Sequence, residues 1–301
     1  MKRRPSEPAW KVRGLDRLPA LPGEILANRY RIERVLGAGG MGIVLAARDL
    51  ETRKRVALKL PNPAETTRAD LVRFGNEAEI LSSLSSPQVP RLESRGECGG
   101  LPYFCMEYVE GRTLSELLDC AGQLSTDAVV RWLLDLCAVL KRVHAAGVVH
   151  RDVKLENLMS RSDRERPLLT LLDFGIAKRL GAPSIEPSDF RAGSPRYMSP
   201  EQLTPDAELD QRVDIWSAGI VAFELLTGDH PFEGASLEEL ARAIAEDEAP
   251  SLRDHRRDVS PELAAAITRC LEKDRARRFQ SAAELAAALL DSVDLGLPLA
   301  S

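Results

Sequence analysis

Four glycines in six residues, Gly37-Ala38-Gly39-Gly40-Met41-Gly42, lie between two stretches of alternating apolar residues and dictate the local chain path. Arg29 to Leu36 alternates before them and Gly42 to Arg48 after them. Lys54 to Leu60 alternates again beyond the polar turn Asp49-Leu50-Glu51-Thr52, so the period-2 signal of a strand appears three times. The glycine spacing also satisfies the dinucleotide fingerprint GxGxxG. That site needs a helix directly after the glycines, so that its N-terminus meets the pyrophosphate. Here Ile43-Val44-Leu45-Ala46 follows, then the turn, then Val56-Ala57-Leu58-Lys59. Strand, turn, strand argues against a nicotinamide site. Glycines in such a hairpin let backbone amides approach a phosphate chain without obstruction by Cβ.

The remaining pattern divides the chain in two. Residues 1–27 are rich in Pro and Arg and lack periodicity, so they read as a disordered extension, with folded structure expected from about Tyr30. Residues 28–108 should form a small lobe of five strands and one helix. The helix is expected from Ala69 to Leu84, on Leu71, Phe74, Ala78 and Leu81, and the last two strands near Arg91–Glu97 and Pro102–Tyr108. Residues 109–291 turn mostly helical, and 292–301 form a tail. Ser125 should cap a helix carrying Val129, Leu133, Leu136, Leu140 and Val143; Asp214 to Leu226 reads as a buried helix stopped by Gly228 and Pro231. Ser236-x-x-Glu239 and Ser281-x-x-Glu284 fit the capping box, and Ser260-Pro261 fits a helix start.

Chemistry concentrates in His150-Arg151-Asp152-Val153-Lys154-Leu155-Glu156-Asn157 and, sixteen residues beyond Asn157, in Asp173-Phe174-Gly175. Asp152 can accept a hydroxyl proton, and Asn157 and Asp173 offer the hard oxygens that magnesium prefers. Lys59 stands in an otherwise apolar strand, where an unpaired ammonium would be expensive, so it demands a carboxylate partner.

Taken in order, these motifs resemble the eukaryotic-type protein kinases, of the serine/threonine class found in bacteria. The resemblance covers about residues 30–290. It implies an α+β, bilobal protein-kinase fold with a small antiparallel β lobe and a larger mainly α-helical lobe. It further implies transfer of the ATP γ-phosphoryl group to protein serine or threonine hydroxyls, with Mg2+ (or Mn2+ as a substitute). Leu36, Gly37, Ala38, Gly39, Gly40, Met41, Gly42 and Val44 match the glycine-rich loop and its walls, and Ala57 and Leu158 the adenine pocket. Lys59 matches the phosphate-binding lysine, with Glu77 preferred to Glu79 as its partner. Met106 matches the gatekeeper, and Glu107 and Val109 the hinge that meets adenine through its backbone. Asp152 becomes the base, Lys154 the neutralising cation, and Asn157 and Asp173 the metal ligands. Leu81, His150 and Phe174 match an internal stack; Ser194 matches a contact of base and lysine. Asp214 should accept backbone hydrogen bonds from the catalytic loop, and Glu201 of Ser199-Pro200-Glu201 should pair with Arg278. Arg151 matches an arginine that receives a phosphate on the activation segment, where Ser188, then Ser184, is the expected acceptor. Glu156 matches a carboxylate that selects basic substrates in some relatives. Leu155 and Arg275 replace prolines common in the family, without removing a functional group.

Alternatives differ in class. A pseudokinase scaffold shares the fold but often lacks the lysine, base or metal ligands, whereas Lys59, Asp152, Asn157 and Asp173 are all present. A small-molecule phosphotransferase would not need the Gly193–Glu201 peptide platform. A net charge of -5 gives no support for nucleic-acid binding. The basic Lys2-Arg3-Arg4 start has no apolar h-region after it, and the most apolar stretch, Val129 to Val149, is broken by four charged residues, so neither a secretory signal nor a membrane span is expected. Many bacterial members carry a membrane anchor after the kinase domain; this sequence stops without one, so the expectation is either a cytosolic protein or a fragment of a longer one. The five cysteines are scattered without a CxxC pair, which favours reduced thiols and a cytoplasmic setting. The expected partners are protein substrates, and the resemblance allows a homodimer.

Overall fold

A computed structural model describes residues 18, 20–39, 42–64, 66–162, 168–179, 194–204 and 207–292. The chain forms two compact units: one runs to Ser85 and resumes over Pro90–Val109, and the other takes Ser86–Val89 and continues from Glu110.

The first unit is a six-stranded antiparallel sheet with one helix. Its elements are β1 (Ile25–Leu26), β2 (Tyr30–Gly39), β3 (Gly42–Asp49), β4 (Arg55–Leu60), α1 (Arg68–Ser83), β5 (Leu92–Cys98) and β6 (Leu101–Glu107). The strand order is β1-β2-β3-β4-β6-β5. Strands β2, β3 and β4 correspond to the three alternating stretches, β5 and β6 to the two further strands expected, and β1 is the addition. Ala27 and Asn28, with φ of 50° and 55°, turn the chain from β1 into β2, and Arg29 N–H closes the turn on the Leu26 carbonyl. Folded structure therefore starts before Tyr30: Leu18, Ala20 and Leu26 are buried with Ile32, Leu45 and Leu58. The sequence signal missed this because isolated apolar residues among prolines and arginines show no period.

Helix α1 starts at a capping box, in which Thr67 accepts from Asp70 N–H and Asp70 accepts from Thr67 N–H. Its buried face is Phe74, Glu77, Ala78, Ile80 and Leu81. Leu71, expected on that face, is 41% exposed, and Ile80 takes the place in the core.

The second unit contains β7 (Gly111–Thr113), α2 (Leu114–Ala121), α3 (Thr126–Ala145), β8 (Val148–Val149), β9 (Leu158–Arg161), β10 (Leu169–Leu171) and β11 (Lys178–Arg179). Helices α4 (Arg212–Thr227), α5 (Leu237–Glu246), α6 (Leu252–His255), α7 (Pro261–Cys270) and α8 (Ala282–Asp291) complete it. Ser125 caps α3 through Ala128 N–H, and Ser260 caps α7 with Pro261 in the first turn. Ser236 and Ser281 cap α5 and α8, but the boxes are displaced. Glu239 and Glu284 reach the amides of Ala235 and Gln280, one residue before each cap. Helix α4 is largely apolar on all sides and almost wholly buried, with α3, α6 and α7 packed against it. Gly228, at φ 81°, ends it in the left-handed conformation.

Two buried polar arrangements fix the segment from Pro195 to Leu203 against α4. Arg278, fully buried, holds Glu201 with both terminal nitrogens at 2.6 and 2.8 Å and donates to the Glu272 and Lys273 carbonyls. A forked guanidinium with its donors used in this way is one of the few ionic groups worth burying. Tyr197 donates to Glu224 on α4 at 2.6 Å, and the His230 ring meets the Tyr197 ring edge-on at 5.7 Å.

Burial, with the Arg196 charge adding to it, pushes the His230 imidazole from 6.5 down to about 4. Between those values the unfolded chain binds a proton that the folded chain refuses. The stability His230 contributes is therefore complete above about pH 6.5 and is lost as pH falls towards about 4. Urea unfolding at about pH 7 and about pH 4.5 should show wild type losing roughly 2 kcal/mol more than His230→Gln over this interval. Equal losses would show that this imidazole is not the acid-sensitive group.

Candidate active site

Strand β8 delivers the chain into the loop His150–Lys154, whose backbone is anchored on one carboxylate. Asp214, in the first turn of α4 and fully buried, accepts His150 N–H at 2.9 Å and Arg151 N–H at 2.8 Å. His144, in the last turn of α3, adds a third bond at 2.8 Å from its Nε2. Burial alone would raise the Asp214 pKa. The hydrogen bonds from His144 and from the His150 amide outweigh burial and hold it below the usual carboxylate range. Arg151 sits at φ 70°, a left-handed conformation that costs energy in a non-glycine residue and persists only where the surroundings enforce it. Gln202 donates to the Arg151 carbonyl at 3.0 Å, tying the loop to the Pro200–Leu203 turn.

The His150 ring has a single consistent tautomer. Nδ1 accepts Asp152 N–H at 3.3 Å, so Nε2 carries the proton and donates to the Leu172 carbonyl at 3.1 Å. The same ring meets Phe174 edge-on, with centroids 4.7 Å apart. His150 thus joins the Asp152 loop to the Asp173-Phe174-Gly175 segment. Leu81, the third residue of the expected stack, is buried in the first unit.

Asp152 is buried and its carboxylate is heavily engaged. Oδ2 accepts from Lys154 Nζ at 2.6 Å and Asn157 Nδ2 at 3.0 Å, and Oδ1 takes a long 3.4 Å contact from Ser194 N–H. Lys154 also donates to Ser194 Oγ at 3.1 Å. Asn157, in the single 3-10 turn Leu155–Asn157, spends its amide nitrogen on the Asp152 carbonyl at 2.8 Å and on Oδ2. This fixes the amide orientation and leaves Oδ1 as the acceptor atom of the side chain. The Asn157 carbonyl accepts Leu172 N–H at 2.8 Å, and the next pair, Leu158 and Leu171, is in register between β9 and β10. Asn157 and Asp173 therefore leave the same end of one two-stranded ladder. Asp173, at φ 57°, accepts Gly175 N–H on its Oδ1. Oxygen donors from one carboxamide and one carboxylate suit a hard divalent cation such as magnesium.

In the first unit, Lys59 donates to both oxygens of Glu77, at 2.7 and 2.8 Å, with both side chains 3% exposed. Glu79 is exposed. Register places Val44 beside Lys59, and Ala46, Ala57 and Met106 in the next row. Val44 and Met106 are half-buried, Ala57 and Val109 are buried, and Leu36 is exposed. Glu107 N–H is bonded to the Arg91 carbonyl at 2.8 Å. Leu158 belongs to the second unit and is fully buried in β9.

The glycines divide by cause. Gly42 is required by the fold: its φ is 118°, and a Cβ would collide with the Leu60 carbonyl oxygen. At Gly37 and Gly39 a Cβ would meet nothing within 4 Å, so the packing of the chain gives no reason for glycine there. Ala38 is half-buried between them. Gly40, Met41, Ser184 and Ser188 lie outside the described residues.

Sequence reasoning missed His144 and Gln202. A histidine closing a helix and a glutamine after Pro-Glu carry no motif, and the contacts that make them useful are long-range.

Comparison with known proteins agrees with this arrangement. The model of the family described as "Protein kinase domain" matches residues 30–289. The serine/threonine-protein kinase PknB of Mycolicibacterium smegmatis is 36% identical over 279 residues, which is 88% of this chain and 43% of that protein. The serine/threonine-protein kinase pkn3 of Myxococcus xanthus is 36% identical over 281 residues, covering 90% of this chain and 51% of that protein. The PknB of Mycobacterium leprae is 34% identical over 278 residues, 88% of this chain and 43% of its own length. The chain thus spans about half the length of the curated relatives it matches. With its fold, its motif order and these likenesses in agreement, the chain belongs to the protein kinase domain family.

Proposed function

We propose that this chain is a serine/threonine protein kinase, transferring the γ-phosphoryl group of ATP to serine or threonine hydroxyls of proteins. The carrying observation is the Asp152 cluster, a buried carboxylate with Lys154, Asn157 and Ser194 all bonded to it. Three donors hold the carboxylate in one orientation. Its Oδ1, bearing only the long Ser194 contact, keeps capacity to accept the proton of a substrate hydroxyl. The hydroxyl oxygen then bonds to the γ-phosphorus, the bond from that phosphorus to the bridging oxygen breaks, and ADP leaves.

Lys154 neutralises charge on the transferring group while its bond to Asp152 fixes its place. Lys59, oriented by Glu77, positions the α- and β-phosphates. The empty space beside Gly37 and Gly39, where a Cβ would meet nothing within 4 Å, suits close approach of the phosphates. Asn157 Oδ1 and the Asp173 carboxylate would hold magnesium, or manganese as a substitute, and the cation would supply neutralising charge for the phosphates. Five free cysteines support a reducing, cytoplasmic setting. Among the described residues no helix is long and apolar enough to cross a membrane.

Incubation with labelled ATP, magnesium and a generic basic protein should place label on serine and threonine. Asp152→Asn and Lys59→Met should each cut the rate by roughly 100-fold or more while remaining folded. ATP binding without transfer by wild type would overturn the assignment in favour of a pseudokinase. Mass spectrometry of the autoreaction should find phosphate on Ser188, or on Ser184. Ser184→Ala/Ser188→Ala should then lose most of the activity; full activity without phosphate on this segment would refute autoactivation.

A further inference from the structure

The sheet of the first unit has one apolar and one cationic row at the end nearest the β3–β4 turn. Ile32, Ala47 and Val56 are paired across β2, β3 and β4 and buried in the core. One residue along, Arg31 pairs with Arg48 and Arg48 with Arg55, and all three are exposed. Strands lie about 4.8 Å apart, so three guanidinium stems emerge from one face within about 10 Å. Like charges set directly opposite one another weaken a sheet. Glu33 offsets part of this, reaching Arg48 at 3.4 Å and Arg55 at 2.7 Å. Arg31, Arg53 and Lys54 make no ion pair among the described residues. From Arg29 to Arg55 there are seven Lys or Arg against three Asp or Glu, a surplus of four positive charges in a chain of net charge -5. Edge protection does not explain the row, because β3 and β4 are interior strands.

The arginines are also braced. Arg55 lies over the Tyr108 ring at 5.3 Å, Arg34 donates to the Tyr108 hydroxyl at 3.1 Å, and Arg48 donates to the Arg53 carbonyl at 3.1 Å. Braced guanidinium forks suit a discrete, doubly charged phosphate, which they grip in pairs. Attraction to a membrane surface rests instead on diffuse charge and needs no such bracing.

We propose that this arginine face docks a phosphoserine-bearing acidic segment, and that its occupant is the Ser188 segment of a second copy of the chain. Ser188 is flanked by Glu186 and Asp189. A phosphate there adds about two negative charges, giving roughly four in a short stretch to meet the surplus of four. The origin of that phosphate rests on the kinase activity proposed above; the docking itself does not.

The test uses the full chain carrying Asp152→Asn, which prevents new phosphorylation, and fluorescence anisotropy with three probes. These are a peptide copying residues 182–190 with phosphoserine at 188, its unphosphorylated twin, and vesicles of phosphatidylcholine with phosphatidylserine. The phosphopeptide should bind at least about tenfold more tightly than its twin, and adding Arg31→Gln/Arg48→Gln should abolish that preference. Equal binding of the two peptides would overturn the proposal. So would an undiminished preference in the arginine variant, which would move the phosphate to another cation such as Arg151. Stronger capture by the vesicles than by the phosphopeptide would make the face a membrane-binding one. Because no probe is turned over, failure here is distinguishable from failure of the kinase assignment, which is read from phosphoryl transfer.

Discussion

The catalytic loop hangs on one buried carboxylate. Asp214 accepts two consecutive backbone amides and an imidazole within 2.9 Å, in a position with no exposure to water. An ionised carboxylate is tolerated there because all three contacts favour its charged form. It stabilises the left-handed turn at Arg151 that reverses the chain between His150 and Asp152. Without that turn, Asp152 could not lie between Lys154 and Asn157 while its own amide reaches back to the His150 ring. A long-range side-chain contact, 63 and 64 residues away in sequence, thereby sets the local geometry of the site.

Two other buried ion pairs divide their work differently. Arg278–Glu201 satisfies its guanidinium with backbone carbonyls as well as the carboxylate and faces no open side, which is the signature of a fixed strut. Lys59–Glu77 instead holds a compact ammonium beside Val44 and Ala57, on the strands that carry the glycine loop. The first fixes the segment after Ser194, the second aims a charge. Both are costly to break because a lone buried charge remains.

Much of this was legible in the sequence where the signal is local. Alternation located the strands β2, β3 and β4 to within a few residues, and serines and prolines marked the starts of α3 and α7. Lys59 could be assigned a carboxylate from its apolar strand alone, whereas the choice of Glu77 over Glu79 came from the family resemblance; in the fold Glu77 is buried and Glu79 exposed. What failed depends on which surface an element meets. Leu71 fits the apolar period of α1 as well as Ile80 does, and only packing selects between them. The displaced caps at Ser236 and Ser281 follow from side-chain reach, which spacing does not encode. Leu18 and Ala20 contribute to the core as single residues, below the threshold of any periodic pattern. The distinction between Gly42, demanded by the fold, and Gly37 and Gly39, which are not, needs the position of the Leu60 carbonyl.

The most direct test is the rate of a single phosphoryl transfer in Asp214→Asn, with ATP affinity and folded structure measured alongside. Asparagine presents one acceptor and one donor, so either His150 or Arg151 N–H loses its partner and the turn loosens. The transfer rate should fall by roughly 100-fold, while ATP affinity, whose proposed adenine and phosphate contacts lie mainly in the other unit, should stay within about twofold. A rate equal to wild type in a folded Asp214→Asn protein would show that this carboxylate does not position the loop.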